Sequence, residues 1–370
     1  SVHVDKGIDS TNNRSTPLHT LTKGAHMAQL DPSSGENFIS GNNTKGNGDN
    51  VSPDRKAPAN HGNVSPDRAP GQTNTADPSI NFDAITLKER FMANQITVGN
   101  VEIKFVLDML PPPRDPSVMF PTTDAHDWEP YHDALEDCQL QLYYGHFFLR
   151  AQGQTIMVDT GMGPGPHPSR GDRTGDMLNQ LKIAGVNPED VDLVLITHMH
   201  IDHVGWNVDY TGSEPKPYFP NARYLAPQLD WDHFTKPEFA KDAPWVAENI
   251  LPLEKMGLLE LIGDGHVVSD EITAISTPGH TPGHIVFDIT SQGQKAMVVG
   301  DLLHSKVQIE RPEWTAGVDT DKEASQRNRK VILERAESED IVIAAGHFHP
   351  DDHIGKVIVK EGKRYWQIIK

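Results

Sequence analysis

Apolar residues in this chain fall into short runs that begin near residue 95, and most of these runs have the length of a β-strand. The runs predict strands at 98–109, 140–150, 155–158, 191–196, 223–226, 260–262, 273–276, 285–289, 295–299, 341–345, 357–359 and 365–369. Residues 177–185 and 322–338 have a helical pattern instead. Strands in runs, interrupted by helices, favour two sheets packed face to face with helices outside.

Residues 1–80 lack such runs. They are rich in Asn, Ser, Thr, Gly, Pro and Asp, and the hexapeptide Asn-Val-Ser-Pro-Asp-Arg occurs twice, at 50–55 and 63–68. Such a segment cannot bury enough apolar surface to offset the entropy lost on ordering. We therefore expect a disordered low-complexity N-terminal segment at 1–80, followed by one domain at 81–370.

The net charge of the chain is −19. Residues 1–80 hold seven Lys/Arg and eight Asp/Glu, so they contribute −1 and leave −18 for the rest. So acidic a surface repels phosphate backbones and anionic lipid, which argues against nucleic acid and membranes as partners. We expect a small-molecule substrate and allow for a homodimer.

The chain contains one cysteine, Cys138, so it has no internal disulfide, and we expect this residue to be a small core residue in a cytoplasmic protein. No apolar run approaches the roughly 18 residues that span a bilayer. The sequence opens with Ser1 rather than Met, so we expect that it starts inside a longer precursor or after a tag.

Three histidines and an aspartate follow the strand at 191–196 within six residues, as His198-Met199-His200-Ile201-Asp202-His203. In extended backbone, residues two apart point the same way, so His198 and His200 can bind one ion together. Asp202 and His203 follow where the chain bends away, and can face a second ion. Nitrogen and oxygen donors of this kind favour a divalent transition metal, most often zinc.

Polar residues also follow three later apolar strands, which end near residues 276, 299 and 345. The carboxyl ends of these strands must meet if the residues form one site. The sequences there are Gly-His-Thr-Pro-Gly-His, with His280 and His284, then Gly300-Asp301, and then Gly346-His347.

The series His198-X-His200-X-Asp202-His203, then His280, Asp301 and His347, resembles the ligand set of the metallo-β-lactamase superfamily of hydrolases. The resemblance covers residues 95–370. It implies a four-layer αββα sandwich of two packed mixed β-sheets with outer helices, and two zinc ions per chain. It assigns His198, His200 and His280 to the first ion, Asp202, His203 and His347 to the second, and Asp301 to both. Asp159, in Val-Asp-Thr-Gly, resembles the aspartate that orients ligands beneath such sites.

Several histidines compete for these assignments. His284 competes with His280, which we prefer because it comes first after the strand. His349 and His353 compete with His347, which follows its strand directly.

The segment Gly300-Asp301-Leu302-Leu303-His304-Ser305 resembles methyl parathion hydrolase and related proteins. Acyl-homoserine lactonases commonly have a tyrosine three places after the bridging aspartate, where this chain has His304. This histidine is either a donor to the developing oxyanion or a buried structural residue. We assign catalytic roles to Asp202 and His304.

Aromatic residues are candidates for an apolar pocket, although each is also a candidate for the core. They are Phe120, Trp128, Trp206, Trp231, Phe234 and Trp314. The function predicted is a di-zinc hydrolase that uses a metal-bridging hydroxide to cleave an ester, lactone or phosphotriester. The alternatives are the same fold with iron acting on sulfur or oxygen species, and a thioesterase of the glyoxalase II type.

Overall fold

The computed structural model describes residues 95–369. The prediction for residues 1–80 lies outside this range. Within the described range, no helix combines the length and the apolar character needed to cross a membrane.

The first sheet has the strand order β1-β2-β3-β4-β5-β8-β9, in which β4, β5, β8 and β9 run parallel and the other neighbours antiparallel. The strands of this half are β1 Gln95–Val98, β2 Val101–Met109, β3 Tyr144–Ala151, β4 Gln154–Val158, β5 Leu193–Leu195, β6 Val208–Asp209, β7 Lys216–Pro217, β8 Arg223–Pro227 and β9 Leu259–Ile262. β6 and β7 form a separate two-stranded ribbon. Val158 of β4 lies opposite Leu195 of β5, so Asp159 and Thr197 leave the sheet at the same edge.

The second sheet has the order β10-β11-β12-β13-β14-β15-β16, with one parallel pair, β13 and β14. Its strands are β10 Val267–Ser269, β11 Ile272–Ser276, β12 Ile285–Ser291, β13 Gln294–Val298, β14 Val342–Ala344, β15 Ile354–Lys360 and β16 Lys363–Ile368. Val298 lies opposite Ala344, so the segments carrying Asp301 and His347 also leave together.

The helices are short except for the last. They are α1 Pro116–Met119, α2 Met177–Ile183, α3 Ile201–Val204, α4 Gln228–Phe234, α5 Pro237–Ala240, α6 Pro244–Asn249, α7 Leu251–Lys255, α8 Val307–Glu310 and α9 Lys322–Ser338. Short 3-10 segments span Glu129–Ala134, Pro168–Arg170, Pro188–Asp190 and Gly300–Leu302. The carboxylate of Asp321 accepts a hydrogen bond from the Ala324 amide and so caps α9 at its first turn.

Three apolar layers separate the sheets and helices. Side chains from both sheets, among them Phe105, Phe147 and Phe287, pack together between them. Met177 and Leu181 of α2 pack on the outer face of the first sheet, and Ile332 and Leu333 of α9 on that of the second. The result is the predicted αββα sandwich of two mixed sheets.

Some local predictions were wrong. The strand predicted at 98–109 begins at Val101 instead, because the chain reverses at Gly99 (φ 58°) and Asn100, and residues 95–98 form a separate strand that was not predicted. Cys138 is exposed rather than in the core, because it lies at the tip of a turn where its own φ is 62°. Residues 228–255, for which the sequence predicted nothing, form helices α4 to α7.

Candidate metal centre

The histidine-rich segment leaves β5 as extended backbone and then turns into α3. His198 is fully buried, whereas His200 and Asp202 are partly exposed. Because α3 begins at Ile201, the side chains of Asp202 and His203 are aimed away from the direction shared by His198 and His200. The bend therefore divides one six-residue segment between two groups of donors, as the sequence predicted.

The second sheet brings up the remaining three residues from separate loops. His280 lies in the turn after β11, Asp301 in the 3-10 turn after β13, and His347 just after β14. Gly300 has a φ of 49°, and a Cβ there would lie 2.9 Å from His284 Nε2 and from the Thr197 side chain. A glycine at this position lets the chain turn Asp301 into the space between the two sheets.

The first group of donors consists of His198, His200, His280 and Asp301. His200 Nδ1 lies 3.1 Å from His198 Nε2 and 2.9 Å from His280 Nε2. Asp301 Oδ2 lies 3.0 Å from His280 Nε2 and 3.7 Å from His198 Nε2. The same four donors were predicted to share the first ion.

The second group consists of Asp202, His203 and His347. Both imidazoles of this group face the other oxygen of the same carboxylate: Asp301 Oδ1 lies 3.0 Å from His203 Nε2 and 2.9 Å from His347 Nε2. Asp202 Oδ1 lies 3.9 Å from His203 Nε2. Asp301 thus divides its two oxygens between the two groups.

The donor set fits divalent transition metals. At zinc–nitrogen distances near 2.0–2.1 Å, tetrahedral ligand atoms lie roughly 3.3 Å apart, which is close to the spacings in the first group. In the second group, the buried atoms His203 Nε2 and Asp301 Oδ1 have no hydrogen-bond partner among the described residues. Buried polar atoms rarely lack a partner, and a cation between them would supply one.

The outward nitrogens of four imidazoles are fixed by hydrogen bonds. His203 Nδ1 donates to Asp159 Oδ2 at 2.8 Å, and His280 Nδ1 donates to Asp319 Oδ1 at 2.9 Å. His347 Nδ1 donates to the Tyr143 carbonyl at 2.8 Å, and His198 Nδ1 lies 3.0 Å from Thr197 Oγ1. A proton held on Nδ1 leaves the lone pair of Nε2 facing the centre, as a metal ligand requires.

Asp159 lies beneath the centre and joins β4 to the histidine segment. Besides His203, it accepts hydrogen bonds from the Thr197 amide at 2.7 Å and the Thr197 hydroxyl at 2.8 Å. Its own φ is 64°, a conformation that aspartate tolerates better than most residues. Its position matches the orienting role that the resemblance implied.

The competing histidines lie elsewhere. His284 Nε2 accepts a hydrogen bond from the Asp301 amide at 3.0 Å, so its lone pair is already used. His349 is partly exposed, and His353 stacks on Phe105 with ring centroids 4.0 Å apart. Neither belongs to a donor group that contains His347.

His304 is buried against the shared carboxylate. Its Nε2 donates to Asp301 Oδ2 at 3.2 Å, and its ring stacks on that of His347 at 5.4 Å. Only 2% of its surface is exposed. Of its two predicted roles, the geometry favours the buried structural residue over the donor to a developing oxyanion.

The electrostatics of the centre are dominated by Asp301. Burial alone would raise its pKa, but the surrounding imidazoles, led by His347, hold that pKa well below its usual range. Burial, followed by the field of His280, lowers the pKa of His200 to about 3. Burial would also lower the pKa of His280, but Asp301 and Asp319 outweigh it and raise that pKa to about 9.

Sequence reasoning missed three buried charged residues that support the ligand loops. Asp230 of α4 accepts hydrogen bonds from the Met199 amide at 2.9 Å, the Gly283 amide at 2.6 Å and the Thr281 hydroxyl at 2.9 Å, and so ties the two ligand loops together. Asp319 and Arg329 lie behind His280. Only Arg329 left a signal: it falls on the apolar face of α9, four residues after Ser325 and three before Ile332.

The aromatic candidates are mostly core residues. Trp206 is buried and donates its indole N–H to Asp108 Oδ1 at 2.8 Å. Phe120, Trp128 and Trp314 pack together in one cluster, against which Ile201 of the histidine segment also packs. Phe234 lies at the site itself, with its ring centroid 6.0 Å from that of His200.

Comparison with known proteins adds to this geometry. The family model described as Metallo-beta-lactamase superfamily matches residues 147–347, more than half of the chain. Among curated proteins, the chain is similar to the N-acyl homoserine lactonase AiiA of Bacillus thuringiensis subsp. kurstaki, with 26% identity over 217 residues that cover 54% of this chain and 79% of that protein. It is also 30% identical over 117 residues to the N-acyl homoserine lactonase AttM of Azorhizobium caulinodans, covering 29% of this chain and 39% of that one.

Solved structures also share the fold. The hydrolase AbOPH of the beta lactamase superfamily superposes with a TM-score of 0.65 and 24% identity, covering 75% of this chain and 97% of that one. AidC, a dizinc quorum-quenching lactonase in complex with a product, superposes with a TM-score of 0.63 and 23% identity, with the same coverage.

Proposed function

The chain belongs to the metallo-β-lactamase superfamily and is a metal-dependent hydrolase, and from this premise we propose that it is a di-zinc enzyme that cleaves small ester-like substrates. The substrate class is an ester, a lactone or a phosphotriester. The observation that carries the proposal is the position of Asp301, whose two oxygens face two separate groups of donors.

The proposed ligands are the seven residues predicted from the sequence. His198, His200 and His280 would hold one ion and Asp202, His203 and His347 the other, and Asp301 would contribute to both. When bound, two such ions lower the pKa of water toward neutrality, so that a hydroxide nucleophile is present near pH 7, and they polarise a carbonyl or phosphoryl group. The chain supplies the alignment: Asp159, Asp319 and Thr197 keep the inward nitrogens free of protons.

Asp202 and His304 have different proposed parts. Asp202 is the partly exposed carboxylate of the set, so it could take up the proton that water releases on becoming hydroxide and return it to the departing alkoxide. His304 is buried against Asp301, so it acts by holding that carboxylate between the two groups. Replacing His304 should therefore reduce metal retention together with turnover.

The substrate that fits is small and neutral. Phe234 and Ile201 lie beside His200 and Asp202, which are the partly exposed members of the set. The chain carries a net charge of −19, which disfavours anionic substrates at long range. The curated relatives named above are N-acyl homoserine lactonases, so N-acyl lactones are the first substrates to test.

The test is a metal analysis joined to a substrate panel. Purified protein should contain two equivalents of metal, and should hydrolyse at least one of N-acyl homoserine lactones, aryl esters and phosphotriesters. A chelator should abolish the activity and added Zn²⁺ should restore it. The variant Asp301→Asn, prepared in parallel, shows whether any activity comes from a contaminant.

Other results would select the alternatives. Faster turnover of a glutathione thioester than of every oxygen ester would indicate the thioesterase. Iron in the fresh protein, with oxygen uptake on a thiol substrate, would indicate the sulfur or oxygen chemistry. A protein that binds no metal would end the proposal.

A further inference from the structure

Arg329 of α9 is among the largest fully buried side chains in the described part of the chain. Its Nε donates to the Leu302 carbonyl at 2.8 Å, and its Nη1 donates to the Pro312 and Trp314 carbonyls at 2.9 and 3.0 Å. Its Nη2 donates to Ser325 Oγ at 2.9 Å. Burying a guanidinium is costly unless its donors are satisfied, so this residue needs a reason beyond filling space.

The guanidinium also faces the carboxylate that orients His280. Arg329 Nη2 lies 3.6 Å from Asp319 Oδ2, and both side chains are fully buried. Asp319 Oδ2 further accepts hydrogen bonds from the Ala316 amide at 3.1 Å and Ser325 Oγ at 2.8 Å, and its Oδ1 accepts from His280 Nδ1. A buried chain of contacts thus runs from Arg329 through Asp319 to His280.

The same guanidinium reaches the loop of the shared carboxylate. Leu302, whose carbonyl it binds, directly follows Asp301 in the 3-10 turn. Asp301 Oδ2 and His280 Nε2 are 3.0 Å apart. Arg329 therefore contacts, from behind, the supports of two first-group donors that come from different loops.

We propose that Arg329 is a positioning residue for the first donor group: through Asp319 it fixes the proton of His280 on Nδ1, and through Leu302 it fixes the turn that carries Asp301. This inference rests on the proposed metal centre. A purely structural arginine would change the stability of the fold without changing metal binding selectively.

The experiment compares variants by zinc competition against a chromophoric chelator and by the visible spectrum of the Co²⁺-substituted protein. Arg329→Lys keeps the charge but cannot reach all four acceptors, and Asp319→Asn keeps the shape but reverses the hydrogen bond to His280. Arg335→Met is the matched control, because Arg335 lies on the same helix and pairs outward with Asp288 at 2.8 Å.

We expect Arg329→Lys and Asp319→Asn each to lower the affinity for one of the two zinc ions by roughly 10- to 100-fold. Each should also change the visible spectrum of the Co²⁺-substituted protein. Their double variant should lose less than the sum of the two single losses, because part of the effect of Arg329 passes through Asp319. Arg335→Met should bind both ions like the wild type.

Unchanged zinc affinities in Arg329→Lys, or fully additive losses in the double variant, would overturn the inference. If Arg329→Lys does not fold, Asp319→Asn decides: unchanged zinc binding there also overturns it. A wild-type protein that does not bind two ions would instead refute the proposed function, so the two failures are distinguishable.

Discussion

The two sheets contribute to the centre in different ways. The first sheet supplies His198, His200, Asp202 and His203 from one segment of six residues, whose extended start and short helix sort them into the two groups. The second sheet supplies His280, Asp301 and His347 from three separate loops. A compact segment needs few supports, chiefly Asp159, whereas the separate loops depend on contacts from distant residues such as Asp319 and Arg329.

The largest effect should come from removing the residue that the two sides share. Asp301→Asn should lower kcat/KM on the order of 1,000-fold, because several kcal/mol of metal-derived stabilisation is lost when both donor groups are broken. Turnover and metal content measured together check this. Asp270→Asn, in an exposed turn, is the control. A variant that keeps two metals and near-normal turnover would show that the two groups do not depend on a common carboxylate.

The next largest effect should come from Asp230, which connects the histidine segment of the first sheet to the His280 loop of the second. Asp230→Ala removes the acceptor that holds Met199 from one side and Thr281 and Gly283 from the other. Leaving these buried donors unpaired should lower the free energy of unfolding by about 3 kcal/mol. Urea denaturation of the metal-loaded protein measures this change in the free energy of unfolding. The control is Asp232→Ala, because Asp232 lies on the exposed face of the same helix. Equal urea midpoints for Asp230→Ala and Asp232→Ala would contradict the proposed connection through Asp230.

The hydrogen bond from His203 to Asp159, on the side of the first sheet, can be tested with an isosteric substitution. In Asp159→Asn the amide nitrogen faces His203 Nδ1, so the imidazole must move its proton to Nε2, where it blocks the metal. The affinity for one of the two zinc ions should fall roughly 10- to 100-fold. Chelator competition measures this, and comparison with Asp319→Asn shows which side depends more on its carboxylate. Retention of wild-type affinity would mean that His203 does not need this partner.

The smallest effect should come from residues 1–80. If they are the passive segment that their composition predicts, a protein starting at residue 81 should keep the wild-type kcat and KM. A steady-state assay of both lengths measures this. A loss of turnover with an unchanged circular dichroism spectrum would show that the segment takes part in the reaction.

Much of the fold could be predicted because the apolar runs are short and regular. Helix α9 was predicted at its observed bounds, and β11 to β14 were predicted to within two residues at each end. The helices at 228–255 were not predicted, because they are four to seven residues long and hold their shape by packing on the first sheet rather than by a long apolar period. Cys138 was misplaced because composition cannot tell a buried small residue from one at the tip of a turn.

The sequence by itself predicted the seven donors, through the resemblance that their order and spacing carry, and the structure brings these side chains together. It also determined the two-sheet architecture, because the alternation of runs and turns allows few other layered folds. Only the tertiary structure decided which oxygen of Asp301 faces which donor group and that Arg329 lies behind His280. It also decided that His284 Nε2 accepts a hydrogen bond from the Asp301 amide. These facts depend on contacts between residues far apart in the chain, which no local pattern records.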